Sequence, residues 1–243
     1  EPYDDFSGST IDAGKWETTY YPESFPPFIS SGRLRLNTGD MYSYNRKESS
    51  LYNILKQAGF SQKLESLSFH TGVVFTDPSI IGVEADLFLD IGGAPSPQSG
   101  VTIDLWEQVG PLEIRCTSLE LGYWDGEGEL WFNKSPYTNG IEGVSSSDTN
   151  YVSVYENHRV KFVRQNGEIK LYQGDNLVQT HLAEGEIIGI SIMAFNDQGL
   201  PMSSTVDNVR VLRDSPPVDP SADTDGDGLY DSVETNTGVY LST

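Results

Sequence analysis

The chain has 243 residues, of which 24 are glycine, and an aromatic fraction of 11%, a composition typical of a β protein with many turns. Its formal net charge of −21 excludes nucleic acid and anionic membrane surfaces as partners, because like charges repel. A single cysteine, Cys116, excludes an intramolecular disulfide, and no apolar run approaches the roughly 20 residues of a membrane-spanning helix.

Short runs of alternating polar and apolar residues follow one another along the first 213 residues, and each predicts a strand. Asn166-Gly167 separates two of these runs and predicts a tight hairpin. Many short strands at this spacing predict an all-β sandwich or jelly roll. Residues 50–56 are compatible with a short helix or a strand. The predicted strands contain residues 32–36, 83–89, 101–106, 159–164, 169–172, 188–194 and 206–212.

Aromatic and polar side chains cluster between residues 104 and 133. Sugar rings stack their C–H faces on aromatic rings, while carboxylates and amides bind the hydroxyl groups. Alternation places Asp104 and Trp106 on the face opposite the core, and it places Glu129, Trp131 and Asn133 on one face of a later run. Ordinary packing is the alternative for each of them. The candidate sugar-binding residues are Asp104, Trp106, Tyr123, Trp124, Glu129, Trp131 and Asn133.

The composition changes after the last predicted strand. Residues 215–222 are rich in proline and have no apolar period, which is typical of an extended linker. The sequence therefore predicts a β domain over residues 1–214, a linker over residues 215–222 and an acidic C-terminal segment over residues 223–243.

That acidic segment matches D-x-D-x-D-G-x5-E from Asp223 to Glu234 at every specified position, a pattern that predicts a calcium loop. Calcium takes about six to eight oxygen ligands, and carboxylates at alternate positions converge when the chain wraps around the ion. Gly228 permits the sharp turn. A disordered acidic linker is the alternative. The predicted ligands are Asp223, Asp225, Asp227, the backbone carbonyl of Leu229, Asp231 and Glu234.

An EF-hand needs a helix on each side of its loop, and here the preceding segment is proline-rich. Residues 223–237 instead resemble the thrombospondin type 3 repeats of bacterial surface and secreted proteins. The resemblance implies a calcium-stiffened spacer in an extracellular or cell-surface protein. Because such repeats usually form arrays between domains, it also implies neighbouring domains of a longer chain.

Framework residues near both ends of the β domain carry a second resemblance. Residues 4–17, 31–36, 157–172 and 206–211 resemble the concanavalin A-like, laminin G-like jelly rolls over about residues 3–212. The resemblance implies a two-sheet antiparallel sandwich whose first and last strands lie side by side. It also implies a structural calcium near that junction, with Asp5 and Asp207 as the matching acids and Asp4 as an alternative to Asp5. Asp207 could equally only cap a turn.

These features predict a secreted, lectin-like module that binds a polysaccharide or glycan without turnover. One alternative is a hydrolase or lyase of the same fold, and another is an adhesive module that binds protein partners. The laminarinase-type hydrolases of this fold carry E-x-D-x-x-E or E-x-D-x-E on one strand. Glu84 and Asp86 begin that pattern, but Phe88 and Leu89 stand where the second glutamate belongs. This departure argues against an enzyme.

Overall fold

The computed structural model describes residues 4–20, 26–38, 57, 71–75, 80–90, 98–124, 126–138, 141–196 and 202–213. Within these ranges the chain forms 15 strands. They are β1 (Glu17–Tyr20), β2 (Phe28–Ser30), β3 (Arg33–Thr38), β4 (Thr71–Phe75), β5 (Ile80–Asp90), β6 (Gln98–Gly110), β7 (Glu113–Trp124), β8 (Glu127–Thr138), β9 (Ile141–Glu142), β10 (Ser146–Tyr151), β11 (His158–Gln165), β12 (Glu168–Gln173), β13 (Asn176–Leu182), β14 (Glu186–Asn196) and β15 (Met202–Arg213).

The strands form two antiparallel sheets. The larger sheet has the order β1-β4-β14-β6-β7-β8-β10, with β9 paired to β8. The smaller sheet has the order β13-β12-β11-β5-β15-β3-β2. Because strands distant in sequence are neighbours in both sheets, the connections cross between the layers as they do in a jelly roll. The predicted all-β, two-sheet antiparallel sandwich is therefore confirmed.

One hydrophobic core fills the space between the sheets. From the smaller sheet, Leu87 and Leu89 of β5 are fully buried, and from the larger sheet so are Ile103 and Leu105 of β6. Each such side chain stabilises the fold by about 1.5–3 kcal/mol relative to an exposed one. The alternation that predicted these strands thus decides which face of each strand is turned to the core and which is turned away from it.

The predicted hairpin joins β11 to β12. Asn166 and Gly167 both have positive φ, 54° and 77°, which is the backbone geometry of a type I′ turn. Gln165 pairs with Glu168 across the turn. Asparagine and glycine suit these two positions because they tolerate the left-handed region better than other residues.

The two ends of the sandwich region meet at an isolated bridge between Asp4 and Val209, so the N-terminal segment lies beside β15. Asp207 accepts a hydrogen bond from its neighbour's amide and lies 3.3 Å from the Arg33 Nε, while Asp5 accepts from the Ser7 amide at 3.0 Å. Among the described residues, no three His, Cys, Asp or Glu side chains are grouped as a metal site. The junction calcium at Asp5 and Asp207 stays a prediction.

Two compact units divide the chain, Glu1–Leu212 and Arg213–Thr243, and the sandwich belongs to the first. The predicted linker at 215–222, the predicted calcium loop at 223–234 and residues 50–56 lie outside the described residues. Among the residues that are described, none form a helix long and apolar enough to cross a membrane.

Candidate active site

Polar and aromatic side chains cover the outer face of the larger sheet, the face turned away from the core. On β7, Leu119 and Leu121 are fully buried in the core, so the alternate residues Ser118 and Glu120 point to the outer face. The same alternation on β6 and β8 places acidic, aromatic and amide groups on this face. Its described members include Thr102, Asp104, Trp106, Ser118, Glu120, Trp124, Glu129, Trp131 and Asn133.

The strand register brings three carboxyl groups of this face together. Ser118 pairs with Asp104, and Trp131 pairs with Glu120. Asp104 and Glu129 are therefore both diagonal neighbours of Glu120, one on each side, and diagonal neighbours in an antiparallel sheet lie about 7–8 Å apart. Glu120 occupies the middle of a row of carboxyl groups that runs across three strands.

Asp104 is the buried member of the row, with 4% of its surface exposed. Ser118 donates to its Oδ1 at 2.7 Å and Ser191 donates to its Oδ2 at 3.1 Å, and the Thr102 hydroxyl also donates to Oδ1. Burial raises the pKa of Asp104, which these hydrogen bonds counteract. With both oxygens engaged, Asp104 ties β6, β7 and β14 together rather than reaching into the solvent.

Glu120 lies in surroundings that favour its protonated form. Burial raises the pKa of its carboxyl to about 8, and the charges of Asp104 and Glu129 add to the effect. The Trp124 Nε1 donates to Oε1 at 3.2 Å. A Cβ added at Gly122 would lie 2.9 Å from that Oε1, so the missing side chain there leaves room for the contact. At neutral pH Glu120 is therefore a carboxylic acid that can donate a proton.

Glu129 is the third carboxyl, and it lies beside a pair of stacked indoles. The Trp131 Nε1 donates to its Oε2. The Trp124 and Trp131 rings stack with centroids 5.4 Å apart and an interplanar angle of 23°. Each indole thus holds one of the two glutamates, and all four side chains are partly exposed. The arrangement offers an apolar wall beside an acid and a second carboxyl group.

Six of the predicted sugar-binding residues lie on the outer face, and one does not. Tyr123 packs against the core, because it alternates with Trp124, so it does not share this face with the other six. Trp106 is only 4% exposed, and its Nε1 donates to Ser191 at 2.9 Å, which leaves little ring surface for a ligand. Asn133 is partly exposed and donates to Ser135 at 3.2 Å.

Glu120 and the hydroxyl groups that surround Asp104 were not among the predicted site residues. A signal for them exists in β7, where Ser118, Glu120 and Trp124 alternate with Leu119 and Leu121. Alternation shows that these three share a face. It does not show that this face lies beside Asp104, which depends on the pairing of β7 with β6.

The carboxyl pair named in the enzyme alternative lies in the other sheet. Glu84 and Asp86 are on β5, out of phase with its core residues, and point away from the sandwich on the smaller sheet. Arg159 Nε is 3.2 Å from Glu84 and 3.1 Å from Asp86, and Asn208 donates to Asp86 at 2.7 Å. The two carboxylates share one arginine in structural contacts, and the core separates them from Glu120.

Solved structures similar to this chain share its architecture. The catalytic domain of an endo-1,3-beta-glucanase (laminarinase) from Thermotoga petrophila matches with a TM-score of 0.57 and 12% identity, over 88% of this chain and 96% of that one. The Bacillus licheniformis beta-glucanase matches with a TM-score of 0.53 and 16% identity, over 87% and 97%. The chain has the concanavalin A-like jelly-roll fold.

A further match to this jelly roll is a GlcNAcα1-4Gal-releasing endo-β-galactosidase from Clostridium perfringens, with a TM-score of 0.59 and 13% identity, over 86% of this chain and 60% of that one. Neither a protein-family model nor a curated protein matches the sequence. All three solved structures are named as enzymes that cleave glycans, which contradicts the predicted binding module without turnover. The similarities favour the polysaccharide-degrading alternative.

Proposed function

We propose that this jelly roll is an endo-acting polysaccharide hydrolase with its active site on the outer face of the larger sheet. The observation that carries the proposal is the pair formed by Glu120 and Glu129. Glu120 is held protonated, Glu129 lies diagonally from it on the next strand, and both lie against the stacked indoles of Trp124 and Trp131. The named activities of the similar structures support the same class of reaction.

Glycoside hydrolysis requires an acid and a second carboxylate on opposite sides of the scissile bond. Glu120 would donate its proton to the glycosidic oxygen as the bond to the anomeric carbon breaks. Glu129, as a carboxylate, would either attack the anomeric carbon or take a proton from the attacking water. The two routes need carboxyl groups about 5–5.5 Å or 6.5–9.5 Å apart, respectively. A diagonal cross-strand pair, with about 7–8 Å between backbones, can reach either spacing through its side chains.

The stacked indoles give the site its affinity for sugar. A pyranose ring packs its apolar C–H face against an aromatic ring, and this contact orients the sugar relative to the ring. Trp124 and Trp131 also donate hydrogen bonds to the two glutamates, so the platform and the reacting groups are positioned together. The ligand that this supports is a polysaccharide or glycan chain.

The proposal is tested by release of reducing ends from a panel of neutral glucans, galactans and O-glycans. We expect Glu120→Gln to lower kcat by about 10²–10⁴-fold, the usual contribution of a general acid, with the folded state retained. Glu84→Gln is the matched control, since it makes the same change on the outer face of the smaller sheet. Equal losses in the two variants, or full activity in Glu120→Gln, would refute the assignment.

A further inference from the structure

A pocket of about 700 Å³ opens at the edge of the larger sheet, where β10 is the last strand. We call it the rim pocket. Tyr151 at the end of β10 is 71% exposed, an unusual exposure for an aromatic side chain of this size. The rim pocket is lined by Glu127, Gly128, Tyr151, Val152 and Ser153.

The backbone around the rim pocket is built by a close approach at Gly128. Val152 donates to the Gly128 carbonyl at 2.9 Å, and a Cβ added at Gly128 would lie 2.8 Å from the Val154 Cγ1. Only a residue without a side chain lets the chain after β10 pass this close to β8. Val154 is itself 3% exposed and belongs to the core. The wall that carries Tyr151 is therefore anchored to the sandwich.

The register connects this pocket to the proposed reaction centre. Tyr151 pairs directly with Glu129, so the two side chains share the outer face, with Cβ atoms about 4.5–5.5 Å apart. Glu127 lies on the same face of β8, two residues from Glu129. A sugar chain running across the strands would thus pass from the Glu120–Glu129 pair to Tyr151 within one strand spacing, about 4.8 Å.

The charge of the surface indicates which sugars fit. Across the described outer face of β6, β7, β8, β10 and β14, no lysine, arginine or histidine accompanies the acidic residues, which are Asp104, Glu120, Glu127, Glu129 and Glu186. The basic residue of β8, Lys134, is 6% exposed and pairs with Glu107 behind this face. Glu127 is exposed and Glu129 is partly exposed, so sulfate or carboxylate groups on a ligand would meet carboxyl groups of like charge at these two positions.

We infer that the rim pocket is a subsite for an uncharged sugar ring, stacked on Tyr151 and bonded by Glu127, next to the ring at the Glu120–Glu129 pair. The inference rests on the proposed function, because the Glu120–Glu129 pair defines where the neighbouring sugar ring lies. It adds a substrate specificity to that function. The enzyme would take neutral polysaccharides and discriminate against sulfated or uronic ones. Tyr151 touches the substrate away from the reacting bond, so it would act on KM and not on kcat.

Binding is measured by calorimetry in the Glu120→Gln background, so that no turnover occurs. The probes are soluble neutral glucans and galactans and their carboxymethylated derivatives. We expect Tyr151→Ala to weaken binding of the best neutral probe about threefold to tenfold, as the loss of one stacking contact does. Tyr151→Phe keeps the ring and should keep the affinity. Tyr172→Ala, on the outer face of the smaller sheet, is the control and should change nothing.

A second arm tests the charge. Glu127→Lys should raise affinity for the carboxymethylated probes relative to the neutral ones. The inference would be overturned if the chain with Glu127 intact bound the carboxymethylated probes more tightly than the neutral ones. It would also be overturned if Tyr151→Ala had no effect on binding, or if no probe bound. Turnover by the wild-type chain is assayed separately. Hydrolysis with no effect of Tyr151→Ala refutes the subsite alone, whereas stacking without any hydrolysis refutes the proposed function alone.

Discussion

Asp104 and Glu120 have the same functional group and neighbouring positions, yet their surroundings assign them different tasks. Three hydroxyl groups donate to Asp104, so its oxygens are occupied inside the protein. Glu120 accepts a hydrogen bond from the Trp124 indole at 3.2 Å, and it stays partly exposed. A carboxyl group that is protonated, held at one oxygen and open to the solvent suits proton donation. A carboxyl group that accepts hydrogen bonds on both oxygens suits the task of holding neighbouring strands in position.

The pKa of Glu120 predicts how activity and stability change with pH. Activity should fall on the alkaline side with a midpoint near pH 8, because the acid form is lost as pH rises through the raised pKa of about 8. The folded state holds this proton more tightly than the unfolded chain does. Its contribution to stability is thus complete below the unfolded pKa, about 4.5, and is lost as pH rises toward 8.

Thermal unfolding measures the second effect. At pH 9 Glu120→Gln should melt at a higher temperature than the wild-type chain, and at pH 4 the two should coincide. Glu127→Gln is the control, because Glu127 is exposed and its removal should leave the melting temperatures alike at both values. A wild-type activity that stays constant from pH 6 to pH 10 would contradict the role of Glu120 as the acid.

At the scale of strands, a buried ionic cluster holds one end of the sandwich. Glu107 of β6 is fully buried and accepts from the Lys134 Nζ of β8 at 3.3 Å. It also accepts from the amides of Glu184 and Gly185, at 3.2 and 3.4 Å, and Arg164 Nε of β11 lies 3.9 Å away. One carboxylate therefore connects both sheets to the segment before β14. Because alternation places Glu107 on the core side, its carboxylate would destabilise the folded state if it were left unpaired there.

We expect Glu107→Gln to destabilise the fold by about 3–5 kcal/mol, the cost of breaking a buried ion pair from one side. Glu168→Gln is the matched control. It makes the same change at a solvent-exposed pair with Lys170, where an ion pair contributes about 0–1 kcal/mol. Chemical denaturation of both variants gives the comparison. Similar midpoints for the two would show that the buried cluster contributes no more than a surface pair.

Strands β3, β5, β6, β11, β12, β14 and β15 match the predicted runs, because alternation is a local signal, and the hairpin could be predicted because Asn166 and Gly167 are locally diagnostic. The candidate active site could be predicted only in part. Alternation placed Asp104 opposite the core in its own strand, and it placed Glu129 and Trp131 together on one face of a later run. Glu120 was missed, since its neighbours come from the pairing of β7 with β6 and β8, which no single run of sequence specifies.

At the scale of the whole molecule, the framework of the jelly roll does not distinguish binding from cleavage. The residues that carried the resemblance lie in the segment before β1, in β3, in the β11–β12 hairpin and in β15, and they specify packing and turns. The feature of this chain that supports the proposed cleavage is the pKa of Glu120, which burial and neighbouring charge raise, and these surroundings exist only after folding. The predicted lectin-like function is contradicted by similar structures that are named as glycan-cleaving enzymes, while a glycan stays the proposed class of ligand.

The acidic C-terminal segment predicts a metal dependence separate from catalysis. The ligands at Asp223, Asp225, Asp227, Asp231 and Glu234 place five carboxylates within 12 residues, and without an ion these would repel one another. Calorimetric titration with calcium should therefore show a site in the full chain that disappears when the chain is truncated after Ser215. Chelation should leave the release of reducing ends unchanged in both forms, because no part of the Glu120–Glu129 mechanism uses a metal. Loss of activity on chelation in the truncated form would instead locate a functional ion within the sandwich, where Asp5 and Asp207 are the acids to substitute first.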